Sequence, residues 1–375
     1  MGVEGLSKVV KPVREVKLQE FKGCTFAIDA MIELNRVFKG QVVLTNKEGE
    51  KTHHIRSLLS IILKLESFGI KQIWVFDHDV SNDANPLEHF KYKVGTLEKR
   101  RAIKAKNKEK LWILQQKVNE VESHLAKMST EEKAQTDKLF EGLDDVDVNA
   151  TNKEISIIQK RIDSPHRKEI NDLKFMLDTL GVEWVEAPST YEGEAICADL
   201  VKHKIANYAF TPDLDALLYG APNVIKRVGK GKDVQYYLYN LDTISGDLDI
   251  GYDDLIKVGL CLGTDANEEG IKGIGVKTVL SKFPTAADWT AAPYAELLEM
   301  FGRTYDASEL KFNNSNSVSF TPEQQKALVE WLVSKQNFDR DRTVKQFSNA
   351  LSNIKIGDIL NKTPIVEFQW GGLTN

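Results

Sequence analysis

Three short apolar runs, each followed by an aspartate, dominate the hydrophobic pattern of the chain. Residues 24–28 precede Asp29, residues 73–76 precede Asp77, and residues 208–211 precede Asp213 after Pro212. Unbroken runs of this length are typical of strands buried on both faces of a parallel sheet. A fourth short strand is predicted at residues 182–185.

Helical periodicity fills the intervals between these strands. Before the second strand, apolar residues recur at Ile55, Leu58, Leu59, Ile62 and Leu65, and the pattern stops at Gly69. The same period recurs at Ile170, Leu173, Leu177 and Leu180, which Gly181 ends. Apolar positions three or four residues apart with a glycine stop indicate amphipathic helices. Strands that alternate with helices predict an α/β fold with a mixed, mainly parallel central sheet flanked by helices.

Residues 88–170 interrupt this alternation with charged helical patterns. We predict helices near 91–120, after Ser129 and near 152–162. This segment has too little apolar surface for a core of its own, so we interpret it as a helical insertion over the sheet edge. A coiled-coil interaction arm is the alternative.

The remaining chain is predicted to be mostly helical after Asp265, with a loop at 311–319 and a helix that begins at Thr321. We therefore divide one integrated domain into four regions. They are 1–87, the insertion 88–170, a second core region 171–300, and a C-terminal helical region with a tail, 301–375.

Composition excludes several classes of protein. The 375 residues are 42% hydrophobic and 28% charged, an ordinary globular balance. No stretch approaches the ~20 apolar residues of a membrane span, and the first residues lack the apolar centre of a signal peptide. The three cysteines are far apart, which argues against a disulfide framework or a zinc site. These features favour a reducing, intracellular compartment and no membrane partner.

Charge is segregated along the chain although its net value is only −5. Residues 89–110 contain seven Lys and two Arg against Glu98 and Glu109, a local net charge of +7. A concentrated basic segment is typical of a surface that contacts nucleic acid, whereas a solvated helix face is the plainer interpretation. Lys93 and Arg100 are two helical turns apart and share a face to which Lys104 is close.

Seven acids are predicted to meet at one edge of the sheet. They are Asp29, Asp77 and Asp213 at strand ends, Asp215 two residues further, Glu192 and Glu194 at a helix entrance, and Asp265 after the apolar run 255–262. The carboxyl ends of parallel strands share one edge, where ligands bind. In an extended segment, Asp213 and Asp215 would point to the same side.

Such a set of carboxylates would repel one another unless cations neutralise them. All-oxygen ligands suit Mg²⁺ or Mn²⁺, and two such ions about 4 Å apart are the usual apparatus for phosphodiester cleavage. Any single strand-end aspartate could instead cap a helix or form a turn. Capping does not require Asp-x-Asp and Glu-x-Glu pairs at the same edge, so the full set favours metal binding.

A glycine-rich segment, residues 270–278, has the composition of a phosphate-binding loop. Val276 separates Gly275 from Lys277, which breaks the P-loop spacing. We interpret the segment as a hairpin between helices, where Gly273, Ile274, Gly275 and Lys277 would meet a DNA phosphate. A plain tight turn is the alternative.

These motifs, in this order, resemble the flap-endonuclease/XPG family of 5′-nucleases. The similar segments are residues 1–6, 27–30, 44–52, 75–77, 187–189, 213–215, 262–275 and, more weakly, 336–338 with Arg342. The resemblance implies a SAF/PIN-like core, a helical arch or gateway, and a helix–two-turn–helix element. It implies activity on branched or nicked DNA with a 5′ flap or 5′ end, in replication and repair.

The resemblance also implies roles for individual residues. Asp29, Asp77, Glu192 and Glu194 would serve one Mg²⁺, and Asp213, Asp215 and Asp265 the other, with Glu194 near both. Lys93 and Arg100 match the catalytic pair at the arch base, and Gly2 would lie near DNA. Backbone carbonyls at Ile271 and Ile274 match a K⁺ site that grips duplex DNA.

The chain departs from the family pattern at several positions. Thr190 and Tyr191 intervene before the Glu-x-Glu pair, and the spacing from Asp77 to Lys93 is longer than usual. The family often has a tyrosine here that stacks on the base of the DNA flap, whereas this chain has Leu34-Asn35. The stacking role is either unfilled or taken by another residue, such as Phe38 or Tyr92. The tail lacks a sliding-clamp peptide.

Two other functional classes compete with an active nuclease. A catalytically inactive DNA-binding scaffold on the same fold would have lost carboxylates, and an RNA-cutting PIN-type enzyme would lack the arch and hairpin. We expect a monomeric 5′-flap endonuclease or 5′–3′ exonuclease, without deciding between the two. We expect it in the nucleus of a eukaryote and otherwise in the cytoplasm.

Overall fold

A mixed sheet forms the centre of the molecule. The computed structural model describes residues 5–40, 44–79, 94–127, 148–229, 233–313, 327–336 and 338. Within them the strands are β1 (Arg14–Val16), β2 (Thr25–Asp29), β3 (Lys71–Phe76), β4 (Glu183–Glu186), β5 (Tyr208–Thr211), β6 (Asn223–Val228) and β7 (Gln235–Asn240). They lie in the order β1-β7-β6-β5-β2-β3-β4. The pairs β6–β5, β5–β2, β2–β3 and β3–β4 are parallel, whereas β7 is antiparallel to both β6 and β1. The predicted mixed, mainly parallel sheet is therefore confirmed.

The four predicted strands are confirmed with small shifts in their bounds. β2 begins at Thr25 and includes Asp29, and β4 begins one residue later than predicted. Three strands, β1, β6 and β7, were missed. β6 carries Lys226 and Arg227 among its apolar residues, so it lacks the unbroken apolar run that marks a doubly buried strand. Its hairpin with β7 could have been found from two β-rich runs on either side of Gly229.

The helices cover both faces of the sheet and form the insertion. They are α1 (Leu6–Val9), α2 (Ala30–Gly40), α3 (His53–Ser67), α4 (Val94–Lys127), α5 (Val148–Ile162), α6 (Arg167–Leu180), α7 (Gly193–Lys202), α8 (Asp215–Leu218), α9 (Leu241–Leu248), α10 (Tyr252–Leu262), α11 (Val279–Lys282) and α12 (Tyr294–Gly302). The predicted glycine stops are confirmed, since Gly69 and Gly181 follow α3 and α6 with φ of 68° and 67°. Glycine adopts this left-handed conformation without a Cβ penalty.

Successive strand residues enter opposite apolar clusters. Ala27, Ile73 and Val75 pack with α7 and α10 on one face. Phe26, Ile28 and Trp74 pack with α3 and α6 on the other face. The sheet is thus buried on both faces, and its carboxyl edge is where polar side chains reach an opening.

The helical insertion stands over this edge. α4 and α5 pack against each other, with Val118 and Ile158 buried. The base of α4 contacts the turn region that follows α10 through a surface ion pair, in which Lys99 Nζ lies 2.6 Å from Glu269 Oε1. The helix predicted after Ser129 lies outside the described residues. The four-region division of the chain stays a prediction.

The prediction of a mostly helical chain after Asp265 was wrong for residues 266–293, whereas α12 and the π-helix Trp331–Lys335 are helical. Turns dominate residues 266–293, with only the short α11 and a 3₁₀ turn at Phe283–Thr285 before α12. Gly270 and Gly273 take φ of 60° and 83°, which a helix cannot accommodate. None of the described helices is long and apolar enough to cross a bilayer.

Candidate active site

All seven predicted acids line one cleft at the carboxyl edge of the sheet. Asp29, Asp77, Glu192, Glu194, Asp213, Asp215 and Asp265 share this opening of about 590 Å³. Such a volume is within the usual range of ligand sites. Parallel pairing of β3, β2 and β5 brings Asp29, Asp77 and Asp213 to the same edge. The convergence therefore follows from the order of the strands.

The reason predicted for the Asp213–Asp215 pair was wrong, although both side chains reach the cleft. Leu214 has φ −106° and ψ 1°, so the segment is not extended. Asp215 is the first residue of α8, where a carboxylate is favoured by the helix dipole. The Asp213 carboxylate accepts a hydrogen bond from the Leu214 N–H at 2.7 Å.

A glycine allows the first strand-end acids to approach the helix that follows β4. The Gly193 N–H donates to Asp77 Oδ1 at 2.9 Å. A Cβ at position 193 would lie 3.1 Å from Asp77 Oδ1 and 3.3 Å from Asp29 Oδ2. The Asp29 carboxylate also accepts from the Ile32 N–H at 2.7 Å. Both aspartates thus lie against Gly193, the residue between the two glutamates at the N-terminus of α7.

The Glu-x-Glu pair is held by donors from α8 and from Tyr219, the residue that follows it. Glu192 precedes α7 and Glu194 lies in its first turn. The Tyr219 hydroxyl donates to Glu192 Oε2 at 3.0 Å, and the Ala216 N–H donates to Glu194 Oε1 at 3.1 Å. α7 and α8 therefore form one scaffold for acids that follow two different strands.

Burial and mutual repulsion make the acidic cluster difficult to ionise. Burial raises the pKa of Asp29 well above its ordinary value, and the nearby Asp77 raises it further. Burial likewise raises the pKa of Glu194 well above its ordinary value, with repulsion from Asp215 and Asp213 added. Burial is also the main cause of the raised pKa of Asp213. A bound cation would relieve both costs.

The chemistry of this donor set fits a hard divalent cation. The cleft's potential ligands are carboxylate oxygens, with no His or Cys among the described residues that line it. Within the described residues, however, no three Asp, Glu, His or Cys side chains already stand as a ready set of metal ligands. The acids described above instead accept hydrogen bonds from protein donors.

The base of α4 places basic residues opposite the acids. The Arg100 guanidinium donates to Asp265 Oδ1 at 2.8 Å, and its Nε lies 3.4 Å from Glu268 Oε1. Lys104 also lines the cleft and donates to Ser164 Oγ at 2.9 Å. Lys93 and Gly2 lie outside the described residues.

Other residues of the cleft wall had no signal in the sequence. Lys39 and Arg161 line the cleft from the ends of α2 and α5. Asn35, which replaces the expected tyrosine, also lines it and donates to the Met31 carbonyl at 2.8 Å. Phe38, one of the suggested substitutes, is instead buried against His53. The other substitute, Tyr92, lies outside the described residues.

The glycine-rich segment forms a tight turn with an open surface. The Ile274 N–H donates to the Ile271 carbonyl at 3.1 Å, and the Ile271 N–H donates to the Cys261 carbonyl at 2.9 Å. Added Cβ atoms at Gly273 or Gly275 would meet nothing within 4 Å. Lys277 is exposed beside them. The backbone here is thus accessible to a large ligand.

Comparisons with known proteins agree with this architecture. The XPG N-terminal domain matches residues 1–107, and the XPG I-region matches residues 181–265. Flap endonuclease 1 of Methanococcus aeolicus is 28% identical over 370 residues, which cover 94% of this chain and 96% of the relative. Flap endonuclease 1-A of Sorghum bicolor is 26% identical over 388 residues, 95% of this chain and 87% of the relative.

The fold is shared with a solved relative. The structure of flap endonuclease-1 from Methanococcus jannaschii superposes with a TM-score of 0.64 at 23% identity, covering 96% of this chain and all of the other. The two XPG regions together span half of the chain and contain all seven acids of the cleft. The chain therefore belongs to the XPG family of structure-specific DNA nucleases, to which the flap endonucleases belong.

Proposed function

We propose that this protein hydrolyses DNA phosphodiesters near junctions between single-stranded and duplex DNA, at 5′ flaps or 5′ ends. The observation that carries the proposal is the convergence of seven carboxylates in one cleft, beside the positively charged N-terminal part of α4. The relatives named flap endonuclease support the choice of substrate. A role in DNA replication and repair follows from that substrate.

Two Mg²⁺ ions are the cofactors that we propose for the acidic cleft, with Mn²⁺ as a substitute. Asp29, Asp77, Glu192 and Glu194 would hold mainly one ion, and Asp213, Asp215 and Asp265 the other. Bound divalent ions supply an activated water and neutralise the charge that develops on the phosphate. The raised pKa values of Asp29 and Glu194 support a site that gains stability from such ions.

The basic residues of the cleft would position the scissile phosphate. Arg100 has five N–H donors in a planar fork, and only some contact Asp265 and Glu268. Its remaining donors are suited to a phosphate that enters the cleft. Lys104 lies one turn further along α4. Lys93, which lies outside the described residues, is the second basic residue that we propose for this role.

The turn at residues 270–278 would bind duplex DNA away from the cleft. The open backbone at Gly273 and Gly275, with the exposed Lys277 beside it, suits a phosphate backbone, although the Gly275 N–H now donates to Thr278 Oγ1 at 3.2 Å. The Ile271 and Ile274 carbonyls would hold K⁺, a role that competes with the turn hydrogen bond on Ile271.

The Lys277→Ala variant is expected to weaken flap-DNA binding with little change in the rate at saturating DNA. Removing one phosphate contact should lower the slope of log affinity against log salt by about one. Fluorescence anisotropy at several salt concentrations measures this slope. Lys71→Ala is the matched control, because Lys71 is exposed at the opposite edge of the sheet. An equal effect of the two changes would contradict the assigned duplex contact.

A 5′-flap DNA labelled at its end tests the activity itself. With Mg²⁺ we expect cleavage near the single-strand/duplex junction, and with EDTA we expect none. The same assay on nicked duplex with a recessed 5′ end separates endonuclease from exonuclease preference. Metal-independent cleavage, or cleavage of RNA alone, would contradict the proposal.

Mg²⁺ is expected to raise the melting temperature and to flatten its dependence on pH. The raised pKa values of Asp29, Glu194 and Asp213 mean that the folded protein binds more protons than the unfolded chain, at pH values above the ordinary carboxyl pKa. Without metal, stability contributed by this cluster should therefore rise as pH falls through the raised pKa values. Scanning calorimetry across mildly basic to mildly acidic pH measures both effects. A melt unchanged by millimolar Mg²⁺ would count against the site.

The alternatives receive less support. An inactive scaffold would not need to keep seven acids in one cleft, and a PIN-type RNA-cutting enzyme would not need α4, α5 and the turn at 270–278. We further propose a monomer that works inside the cell, in the nucleus of a eukaryote or otherwise in the cytoplasm. A sliding-clamp peptide is not expected in the tail, which lies outside the described residues.

A further inference from the structure

Glu192 occupies a connection whose backbone is not held by regular structure. It precedes α7 with φ −91° and ψ 151°, a non-helical conformation. Two residues earlier, Thr190 has φ 75°, a left-handed conformation that is unfavourable for a β-branched residue. Contacts from elsewhere in the chain must therefore set the position of this carboxylate.

The first of these contacts comes from Tyr219. Its hydroxyl donates to Glu192 Oε2 at 3.0 Å, a hydrogen bond strengthened by the carboxylate charge. Tyr219 is only 5% exposed, and its ring packs on Phe301 with centroids 4.9 Å apart. The ring of Phe301, near the end of α12, thus backs the tyrosine that holds the acid.

The second contact comes from the residue that follows α12. The Arg303 guanidinium lies 4.6 Å from the centroid of the Tyr191 ring, and its Nη2 is 3.4 Å from Thr190 Oγ1. The Tyr305 ring packs edge-on against Tyr191 at 5.2 Å. A cation and a ring thus enclose the residue directly before Glu192.

The same short segment is anchored to α7 itself. The Tyr305 N–H donates to Asp199 Oδ2 at 2.8 Å, and Asp199 is only 1% exposed. Lys202 Nζ donates to Asp199 Oδ1 at 2.9 Å and to Thr304 Oγ1 at 3.3 Å. Residues 303–305 are therefore bound both to the connection before α7 and to the last turn of that helix.

We propose that residues 301–305 form a positioning element for Glu192. Phe301 acts through Tyr219 on one side of the carboxylate, and Arg303 acts through Tyr191 on the other. The element lies beyond residue 265, where the matched XPG I-region ends. The inference rests on the proposed role of Glu192 in binding Mg²⁺, and it adds Tyr219 and Arg303 as residues that set the affinity of that site.

The test measures the Mg²⁺ affinity of the full chain by isothermal titration calorimetry. We expect Tyr219→Phe and Arg303→Ala each to weaken Mg²⁺ binding on the order of tenfold, since such outer contacts orient metal ligands. Flap cleavage should then need more Mg²⁺ for half-maximal rate and recover at saturating Mg²⁺. Arg303→Lys should restore part of the affinity, because it keeps a cation near the Tyr191 ring.

Two control variants separate positioning from general loss of stability. Tyr237→Phe also removes a hydrogen-bonded hydroxyl, which donates to Gln235 Oε1 at 3.2 Å, but this bond involves neither an acid of the cleft nor residues 301–305. Arg14→Ala removes an arginine whose ion pair with Glu20 is exposed. Both should keep the parental Mg²⁺ affinity, whatever their melting temperatures.

A Glu192→Gln variant distinguishes the two ways in which the result could fail. If Glu192→Gln weakens Mg²⁺ binding while Tyr219→Phe and Arg303→Ala bind like the parent, the positioning element is overturned and the proposed metal site stands. If Glu192→Gln itself binds Mg²⁺ like the parent, the metal role of Glu192 fails, and the positioning role fails with it.

Discussion

The Asp213→Ala variant is expected to lose at least about a thousandfold in the rate of flap cleavage while it still binds flap DNA. A loss of this size corresponds to about 4 kcal/mol of transition-state stabilisation, as expected when a ligand of a catalytic cation is removed. Asp213 lines the cleft with the other six acids, and the hydrogen bonds described for it are local ones, with Thr211 and Leu214. Single-turnover cleavage and anisotropy binding, measured on the same DNA, separate the two effects.

The folded state should survive this change. Burial raises the pKa of Asp213, so its charged form is costly in the absence of metal, and its removal should not lower the metal-free melting temperature. Asp288→Asn is the matched control, because Asp288 is an exposed turn acid that accepts hydrogen bonds from Thr290. Cleavage retained by Asp213→Ala, or lost equally in Asp288→Asn, would refute the assignment of the acidic cleft.

The Arg100→Ala variant is expected to slow cleavage by about a hundredfold at saturating DNA and Mg²⁺. A positioned guanidinium stabilises charge that develops on the phosphate, and removal of one such donor typically costs this much. Arg100 lines the cleft and contacts Asp265 and Glu268 across it. Arg100→Lys should recover only part of the rate, because lysine lacks the planar fork of donors.

The neighbouring arginine provides a stringent control for this prediction. Arg101 has the same charge and lies on the same helix, but it is exposed and does not line the cleft. Arg101→Ala should therefore weaken DNA binding modestly and leave the saturated rate unchanged. Equal losses of rate in the two variants would mean that α4 acts only through its overall charge.

Local signals in the amino-acid sequence determined the core strands and the acids at their ends. Residues 208–211 form a strand as predicted, because an unbroken apolar run is stable only when both faces are buried. The helix ends at Gly69 and Gly181 could be predicted in the same way, since each depends on the left-handed backbone conformation of a single glycine. The strand-end acids followed from these elements, as parallel strands place their carboxyl ends at one edge.

Contacts between distant parts of the chain were decided only by the tertiary structure. Arg100 meets Asp265 across 165 residues, and Tyr219 meets Glu192 across 27, with no periodicity that links either pair. The parallel pairing of β6 with β5 was likewise decided only in the folded chain, because Lys226 and Arg227 interrupt the apolar run that marks a central strand. The spacing of apolar residues within one helix or strand shows which of its faces is buried. The contacts of each side chain depend instead on how all the elements pack together.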